Sequence, residues 1–337
     1  MDSLQHAQSS EAPSGASPSA DRGTLVHLAL SKRPQQPQKT GDLIGKVADI
    51  VERARKANRK PLPGTPLPRN VTQLPLWPEA VRAVPNGLLR SALFAAMQNG
   101  ARRYMERELV AALDGLEIRY TGQRLDQDDL DAYESVLHAA RLQPLGEQCK
   151  VTAYALLKLQ GVTDTGRNRD LLEERLTRLR ANAIEIKQEE CHYIGGLIDE
   201  AFKDSKTKQW VIVLNPRLGA LFADDQFTQI DWAVRHALNN RPLAQWLHGF
   251  YASHARPYDM YVRTLHKLCG SGAARMDHFR DTLRGALNAI AIASKAHGQP
   301  FDYEIRRDGL VKVKKTPTKA QRRHLAKKAA KLTAKHA

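Results

Sequence analysis

The sequence predicts an α+β fold built from two tandem winged helix-turn-helix domains. A similar motif occurs twice, at residues 152–186 and 259–292, and a short apolar helix in each copy ends in Leu-Lys-Leu-Gln-Gly or His-Lys-Leu-Cys-Gly. Each copy continues through a polar turn into a longer amphipathic helix and then into a β-rich stretch. Helix, glycine turn, long helix and hairpin in this order are typical of a winged helix.

The composition favours a protein that binds a polyanion. The 337 residues include 52 Lys and Arg against 36 Asp and Glu, a net charge of +16. Such a chain attracts nucleic acid or an anionic membrane. There is no apolar run of about 18 residues, which a transmembrane helix needs, and the N-terminus lacks the pattern of a secretory signal. We therefore expect a cytoplasmic, DNA-associated protein with no membrane partner.

The chain divides into four regions. Residues 1–70 are rich in Ser, Pro, Gln and Ala and are expected to be a disordered and linker region, with a possible short helix at 42–58. Residues 71–226 are the predicted first winged-helix domain, and residues 227–314 are the second. Residues 315–337 form a basic tail. From position 312 onward there are ten Lys or Arg and no acidic residue. We expect the tail to be disordered or a nascent helix when free, and to act as an electrostatic arm on DNA.

The first domain should begin with strand and helix elements before its helix-turn-helix. Strands are predicted at 118–121 and 149–151, and a helix is predicted at 126–140, where acidic residues in the first turn suit the helix dipole. The stretch after the long helix predicts a three-stranded meander between Ala183 and Leu214, with Lys203–Lys208 as one of its turns.

The long helix of the second copy is the expected recognition helix. If Phe279, Leu283 and Leu287 are buried, the helical step of 100° turns His278, Asp281 and Thr282 outward. Recognition helices contact base edges mainly with their N-terminal residues, so Arg275 is the leading candidate for a bidentate guanine contact. The alternative is an exposed arginine, or one paired with Asp277 or Asp281. The hairpin that follows turns at Asp308-Gly309. The candidate DNA-binding residues of this domain are Ser271, Arg275, His278, Arg280, Thr282, Arg284, Arg306 and Arg307.

The long helix of the first copy predicts a weaker DNA contact. Its outward face carries Arg167 and Arg178, and it also carries Asp170, Glu173 and Glu174. Acidic side chains repel phosphate, so this helix should not lie along a groove. Only its start could touch DNA, through Arg167, Asn168 and Arg169. The first domain is therefore expected to contact the DNA backbone and to be a candidate for self-association.

A short peptide before the first domain resembles a protein-docking motif. Gln73-Leu74-Pro75-Leu76-Trp77 is similar to the pentapeptide by which bacterial proteins bind the β sliding clamp. A glutamine amide and two large apolar side chains on a flexible tether suit a partner's apolar pocket. Pro75 and the tryptophan depart from that pattern. The alternative is that Leu76 and Trp77 pack on their own domain. The candidate clamp-binding residues are Gln73, Leu74, Leu76 and Trp77.

Four longer stretches resemble the TrfA family of plasmid replication initiators. They are residues 74–94, 118–133, 221–232 and 250–270. The resemblance covers residues 71–295 and implies a tandem winged-helix protein that binds direct repeats (iterons) in double-stranded origin DNA and helps to open the duplex. It also implies that the protein recruits host DnaA, the DnaB helicase and the β sliding clamp, and that it forms an inhibitory dimer through the first domain. The family's clamp motif falls on Gln73–Trp77 and its recognition helix on Ser271–Ala293.

Other functional classes fit the sequence less well. Gly41–Lys46 is one residue short of a P-loop, and Val47 replaces its Ser or Thr. The acidic residues from Asp126 onward lack the glycine of a calcium-binding loop, and no His-x-His pair of a nicking enzyme occurs. We therefore expect no catalytic residue, no metal and no cofactor. The main alternative is a winged-helix transcriptional repressor of a plasmid or phage operon, because the fold alone does not choose between the two functions.

Overall fold

The computed structural model describes residues 73–97, 102–113, 115–188, 191–223 and 226–336. The predicted 1–70 region, with its possible helix at 42–58, lies outside the described residues. The described chain is a mixed α+β structure, as the sequence predicted, and all of it belongs to one compact unit, Pro66–Ala337.

The elements follow one another in short segments. The chain begins with β1 (Val81–Pro85), α1 (Asn86–Leu89), β2 (Phe94–Ala95), β3 (Tyr104–Val110), β4 (Leu116–Gln123), β5 (Leu125–Asp126), α2 (Gln127–Ala140), β6 (Gln148–Thr152), α3 (Ala153–Gln160) and α4 (Gly166–Arg180). It continues with β7 (Ala183–Gln188), β8 (Cys191–Gly195), β9 (Glu200–Lys203), β10 (Gln209–Val213), a 3-10 helix (Pro216–Phe222) and β11 (Phe227–Asp231). The last elements are α5 (Trp232–Ala237), α6 (Pro242–Ala252), β12 (Met260–Tyr261), α7 (Val262–Leu268), α8 (Met276–Ala296), β13 (Phe301–Ile305), β14 (Leu310–Lys315) and α9 (Lys319–His336).

The start of α2 shows why its acidic residues belong there. The Asp126 carboxylate accepts hydrogen bonds from the backbone amides of Asp128 (3.1 Å) and Asp129 (3.0 Å), and the Asp129 carboxylate accepts one from the Asp126 amide at 3.1 Å. This reciprocal capping box satisfies amides that have no partner inside the helix. The helix predicted at 126–140 is confirmed, and so are the strands predicted at 118–121 and 149–151.

Two small sheets have the same strand order. One sheet runs β6-β10-β9 and the other β12-β14-β13. In each, a strand leads directly into the short helix of a helix pair, and a hairpin after the long helix returns to that strand. The two motif copies therefore have the same order of strands and helices. The first copy differs by one insertion, the hairpin β7–β8.

The insertion corrects one prediction. The three-stranded meander expected between Ala183 and Leu214 is wrong, because its strands belong to two sheets. Strands β7 and β8 form a hairpin that extends a four-stranded sheet, β3-β4-β7-β8, in which Ile118 lies opposite Ile186. Strand β10 instead pairs with β9 and β6. Alternating apolar residues predict strands, but they do not identify the partner of a strand.

The described chain has two hydrophobic cores. The first runs from Leu74 to Ile230, and the second runs from Val234 to Val313. Strand β11, which the sequence placed at the start of the second domain, pairs with β1 and packs on the first core. We call residues 73–231 the first module and residues 232–315 the second module.

A buried ion cluster joins the two modules. The Arg235 side chain of α5 is fully buried and donates from Nε to Asp131 Oδ1 of α2 at 2.5 Å, and Glu134 Oε2 lies 3.5 Å away. Both carboxylate oxygens of Glu134 are buried and have no hydrogen-bond partner among the described residues, and burial raises the pKa of Glu134 to about 7. Nearby, the Arg82 guanidinium lies 4.6 Å from the Trp232 ring centre. The cluster places charges of both modules in one largely buried contact.

The turn glycines of the two helix pairs each face the opposite module. Gly161 and Gly270 both have left-handed backbone angles, with φ of +72° and +63°, which favour glycine. A Cβ atom on Gly161 would lie 2.5 Å from a His236 ring carbon of the second module. A Cβ atom on Gly270 would lie 2.8 Å from Arg124 Nη2 of the first module. A side chain at either position would require a side chain of the opposite module to move.

Candidate nucleic-acid interface

Helix α8 presents one open face. Phe279, Leu283 and Leu287 are buried in the second core, whereas His278, Asp281 and Thr282 are exposed. This is the orientation that helical periodicity predicted. Arg275 occupies the N-cap position in an extended conformation and makes no side-chain capping bond.

Arg275 lies at the start of this face and is already paired. Its side chain is 78% exposed, and its Nε donates to Asp277 Oδ1 at 3.1 Å. The hydrogen bond from Arg275 lowers the pKa of the Asp277 carboxyl, which stays ionised. The alternative of an arginine paired with Asp277 therefore describes this conformation. A guanine contact would require Arg275 to exchange Asp277 for the base.

Three further candidates, two of them on α8, also have internal partners. Arg284 Nη1 donates to Asp281 at 2.9 Å, and the Thr282 hydroxyl donates to the His278 carbonyl at 3.0 Å. Ser271 lies in the preceding turn, where its hydroxyl accepts from the Ala273 amide at 3.2 Å. His278 is exposed beside Arg275 on the first turn of the helix.

The β13–β14 hairpin is fastened to α8. Tyr303 Oη donates to Asn288 Oδ1 at 2.6 Å, and Arg280 Nη2 donates to the Arg307 carbonyl at 3.2 Å. The turn places Gly309 at a φ of +86°. Arg280 therefore holds the hairpin tip in place, while the Arg306 and Arg307 side chains are exposed at that tip. The structure thus brings these two arginines onto an element fixed to α8.

At the start of α4, one of the three candidate residues has a side chain with no internal partner within the described chain. Arg169 forms two hydrogen bonds with Asp164, at 2.6 and 2.7 Å, and Asn168 Nδ2 donates to the Thr163 carbonyl at 2.7 Å. Arg167 is exposed, and within the described chain its guanidinium has no hydrogen bond or ion pair. Of the three predicted residues, Arg167 is the one that can contact DNA without losing an internal partner.

The outward orientation predicted for Arg178 is wrong. Its side chain is 12% exposed and pairs with Asp129 at 2.9 Å, and Arg175 pairs with Asp128 at 2.7 Å. Both carboxylates lie in the first turn of α2, and Asp129 also pairs with Arg102. The acidic start of α2 therefore holds α4 as well as capping its own helix. Arg178, which the sequence predicts to be exposed, instead pairs with a carboxylate 49 residues away.

The clamp-like peptide lies mostly in the first core. Leu74 and Trp77 are 2% and 4% exposed, and Trp77 stacks on Phe222 with ring centres 6.4 Å apart. Trp77 Nε1 donates to His138 Nδ1 at 3.0 Å. Leu76 is 54% exposed.

The protonation state of His138 fixes the direction of these bonds. Burial lowers the pKa of His138 to about 4, so the ring is neutral at pH 7. Nδ1 accepts from Trp77, and Nε2 donates to Glu79 at 2.8 Å. Gln73 Nε2 donates weakly to the Arg141 carbonyl at 3.4 Å. Trp77 packs on its own domain, which was the alternative to clamp binding, whereas Leu76 faces outward. In this conformation Trp77 cannot enter a partner's pocket.

The sequence analysis gave no function to a basic turn in the first module. Lys203, Lys206 and Lys208 are exposed around the turn between β9 and β10. Their positions were predicted as a turn of the meander without a function. The sequence shows three lysines within six residues. Which sheet their turn belongs to depends on the strand order, which the alternation of apolar residues does not reveal.

The basic tail begins with an ordered attachment. Gln321 Nε2 donates to the Ala252 carbonyl at 2.7 Å, and Lys315 Nζ donates to Gln321 Oε1 at 3.0 Å. Lys315, which the sequence placed first in the tail, lies in β14, and burial lowers its pKa to about 8. The tail itself forms α9, with exposed cations at Lys319, Arg322, Arg323 and Lys327.

The described ranges contain neither a candidate membrane-spanning helix nor a candidate metal-binding cluster. Within them, no helix is both long and apolar enough to cross a bilayer. In the same ranges, no cluster of three His, Cys, Asp or Glu residues has an arrangement that could hold a metal ion.

Comparison with known proteins places most of the described chain in one family. A family model described as TrfA protein matches residues 65–296. The plasmid replication initiator protein TrfA of Escherichia coli is 28% identical over 222 residues, which cover 64% of this chain and 58% of that relative. RepFIB replication protein A of Escherichia coli and of Salmonella typhi is 27% identical over 163 residues, covering 45% of this chain and 50% of each relative. The chain thus spans between one half and three fifths of the length of these relatives.

Two solved structures match parts of this chain at low sequence identity. Domains 2 and 3 of RctB are 14% identical with a TM-score of 0.48, covering 69% of this chain and 96% of that one. The Pi initiator protein, solved in complex with iteron DNA, is 13% identical with a TM-score of 0.42, covering 56% of this chain and 91% of that one.

Proposed function

Because this chain belongs to the TrfA family, we propose that it is a plasmid replication initiator that binds direct repeats in origin DNA and promotes local opening of the duplex. The observation that carries the proposal is the family match over residues 65–296, which includes both helix pairs and the whole of α8. The exposed start of α8 beside an arginine-bearing hairpin supports duplex binding as the activity.

The two modules act as two winged-helix domains in this proposal. The shared strand orders β6-β10-β9 and β12-β14-β13 support that assignment, as do the separate hydrophobic cores. The second module reads base edges with Arg275, His278, Thr282 and Arg284, and its Arg306 and Arg307 bind phosphates. The first module contacts the DNA backbone, and Arg167 at the start of α4 is the arginine that makes this contact. Activity then depends on binding and DNA deformation, with no covalent step.

Partners follow from family membership as further parts of the proposal. They are host DnaA, the DnaB helicase and the β sliding clamp, together with a second copy of the chain bound through the first module. Clamp binding through Gln73–Trp77 requires that segment to leave the first core, because Trp77 is buried there. The exposed Leu76 is the part of the peptide that a partner could meet first.

A footprint on the plasmid that encodes the chain tests the main proposal. An initiator is expected to protect several spaced direct repeats beside an AT-rich block, whereas a repressor would protect a single palindrome over a promoter. Full-length protein and the complete non-coding region around the gene should be used. Protection of a lone palindrome, with no protected direct repeat, would favour the repressor.

Arg275→Ala is expected to reduce affinity for a repeat far more than affinity for random duplex. A bidentate arginine–guanine contact contributes about 1–3 kcal/mol of discrimination, so the ratio of the two affinities should fall by roughly 5- to 150-fold. Anisotropy titrations on both duplexes measure the ratio. Arg307→Ala is the matched control, because a phosphate contact weakens both affinities together. Equal losses for Arg275→Ala on the two duplexes would assign that residue to the backbone.

Deleting residues 319–337 is expected to flatten the salt dependence of DNA binding. The deletion retains the whole β14 strand and removes seven cations, Lys319, Arg322, Arg323, Lys327, Lys328, Lys331 and Lys335. Each phosphate neutralised contributes about 0.9 to the slope of log K against log salt. The slope should therefore become shallower on specific and random duplex alike. An identical slope before and after the deletion would show that α9 does not reach DNA.

A further inference from the structure

The lysine-bearing turn between β9 and β10 has a topological counterpart on the DNA-binding side of the second module. In both modules a hairpin follows the long helix, and its second strand pairs with the strand that precedes the short helix. Turn 204–208 therefore corresponds to turn 306–309, which carries Arg306 and Arg307. The hairpin β7–β8, although it is the first one after α4, belongs to another sheet.

The turn is rigid enough to hold its cations outward. Asp204 Oδ1 accepts from the backbone amides of Lys206 (2.7 Å) and Thr207 (3.1 Å), and the Lys208 amide donates to the Asp204 carbonyl at 2.8 Å. Lys208 adopts a left-handed φ of +58° that closes the turn. The Asp204 carboxylate is thus directed at the turn itself. Three lysines against one aspartate leave a net charge of +2 over Lys203–Lys208.

We infer that Lys203, Lys206 and Lys208 form a second wing that binds backbone phosphates of duplex DNA next to the site read by α8. This inference rests on the proposed function and identifies how the first module takes part in it. Lysine offers a mobile point charge without the planar fork that reads a guanine edge. The outer face of α4 carries exposed Asp170, Glu173 and Glu174, which keep that helix out of a groove. The contact made by this wing is therefore independent of sequence.

A two-residue variant tests the wing with the full chain. Lys206→Gln and Lys208→Asn remove two charges, and asparagine tolerates the left-handed backbone at position 208. The matched control is Lys187→Gln on β7, because Lys187 is 47% exposed and lies on the hairpin that chain order alone would take as the wing. Two duplexes of equal length are titrated at several salt concentrations, one carrying the footprinted repeat and one carrying the same bases scrambled.

The double variant is expected to lower the salt slope by about 2 on both duplexes, since each lost phosphate contact removes about 0.9. The ratio of the two affinities should stay unchanged, and Lys187→Gln should leave the slope unchanged. An unaltered slope in the double variant, or an equal change in the control, overturns the wing assignment.

A second measurement uses the wild-type protein. Bound duplex should protect Lys206 and Lys208 from acetylation and leave Lys187 reactive; reactive wing lysines in the complex overturn the inference. If the proposed function is wrong, the titrations give a different result, because wild-type protein would then bind both duplexes with equal affinity. A slope change on the scrambled duplex would still report on the wing in that case.

Discussion

Replacing Arg235 with methionine is expected to destabilise the protein by about 3–5 kcal/mol, because removing one partner of a buried ion pair leaves the remaining charge uncompensated. Arg235 is fully buried and supplies the positive charge to Asp131 and Glu134, two carboxylates on α2. Glu134 can become protonated, since burial already raises its pKa to about 7, but Asp131 also loses its hydrogen bond from Nε. Urea unfolding followed by circular dichroism measures the loss.

A rescue variant separates the charge effect from lost packing. Adding Asp131→Leu and Glu134→Leu to Arg235→Met should recover most of the loss, because an apolar cluster of similar volume avoids the cost of burying ions. Arg263→Met, on an exposed arginine of α7, should change stability by less than about 0.5 kcal/mol. A loss for Arg235→Met as small as that of the control would mean that the ion cluster does not hold the modules together.

Trp77→Ala is expected to cost about 3–5 kcal/mol of folding free energy, the usual range for removing a buried tryptophan. The change empties the space over Phe222 and leaves His138 Nδ1 without the hydrogen bond from the indole. The neighbouring Leu76→Ala should cost far less, because that side chain is half exposed. The same unfolding experiment applied to both variants gives the comparison. Equal and small effects would contradict the buried placement of Trp77.

This difference decides how clamp binding should be tested. A clamp assay with Trp77→Ala would mix the loss of a contact with the loss of the fold. Leu76→Ala removes a side chain of the proposed docking peptide while the domain stays folded. We therefore expect Leu76→Ala to reduce capture by purified β clamp with only a small change in unfolding midpoint, and unchanged capture would argue against docking through this peptide.

Local patterns in the sequence predicted about half of the elements of this fold, among them those of both helix pairs. Helix α2 has a capping box whose residues are adjacent in the chain, and the buried stripe of α8 follows from the spacing of Phe279, Leu283 and Leu287. The Asp308-Gly309 hairpin is likewise specified by its turn residues and its flanking alternation. These features depend on neighbours within a few positions, which a sequence displays directly.

Features that depend on distant partners were not predictable in the same way. Strand β7 pairs with β4 rather than continuing a meander, Arg178 turns inward to Asp129, and Trp77 packs against Phe222. Each of these partners lies dozens of residues away, and no local period reveals it. Arg275 shows a further limit for the candidate site, because its exposure was predictable whereas its pairing with Asp277 was only one of two alternatives.

The cramped turns at Gly161 and Gly270 have a consequence for how variants should be interpreted. An alanine at either glycine would strain the left-handed backbone, and its Cβ would force the His236 ring or the Arg124 guanidinium of the opposite module to move. Such a change would disturb the contact between the modules without altering any candidate DNA-binding side chain. In a genetic screen for lost function, substitutions at these glycines would therefore mark a disturbed contact between the modules.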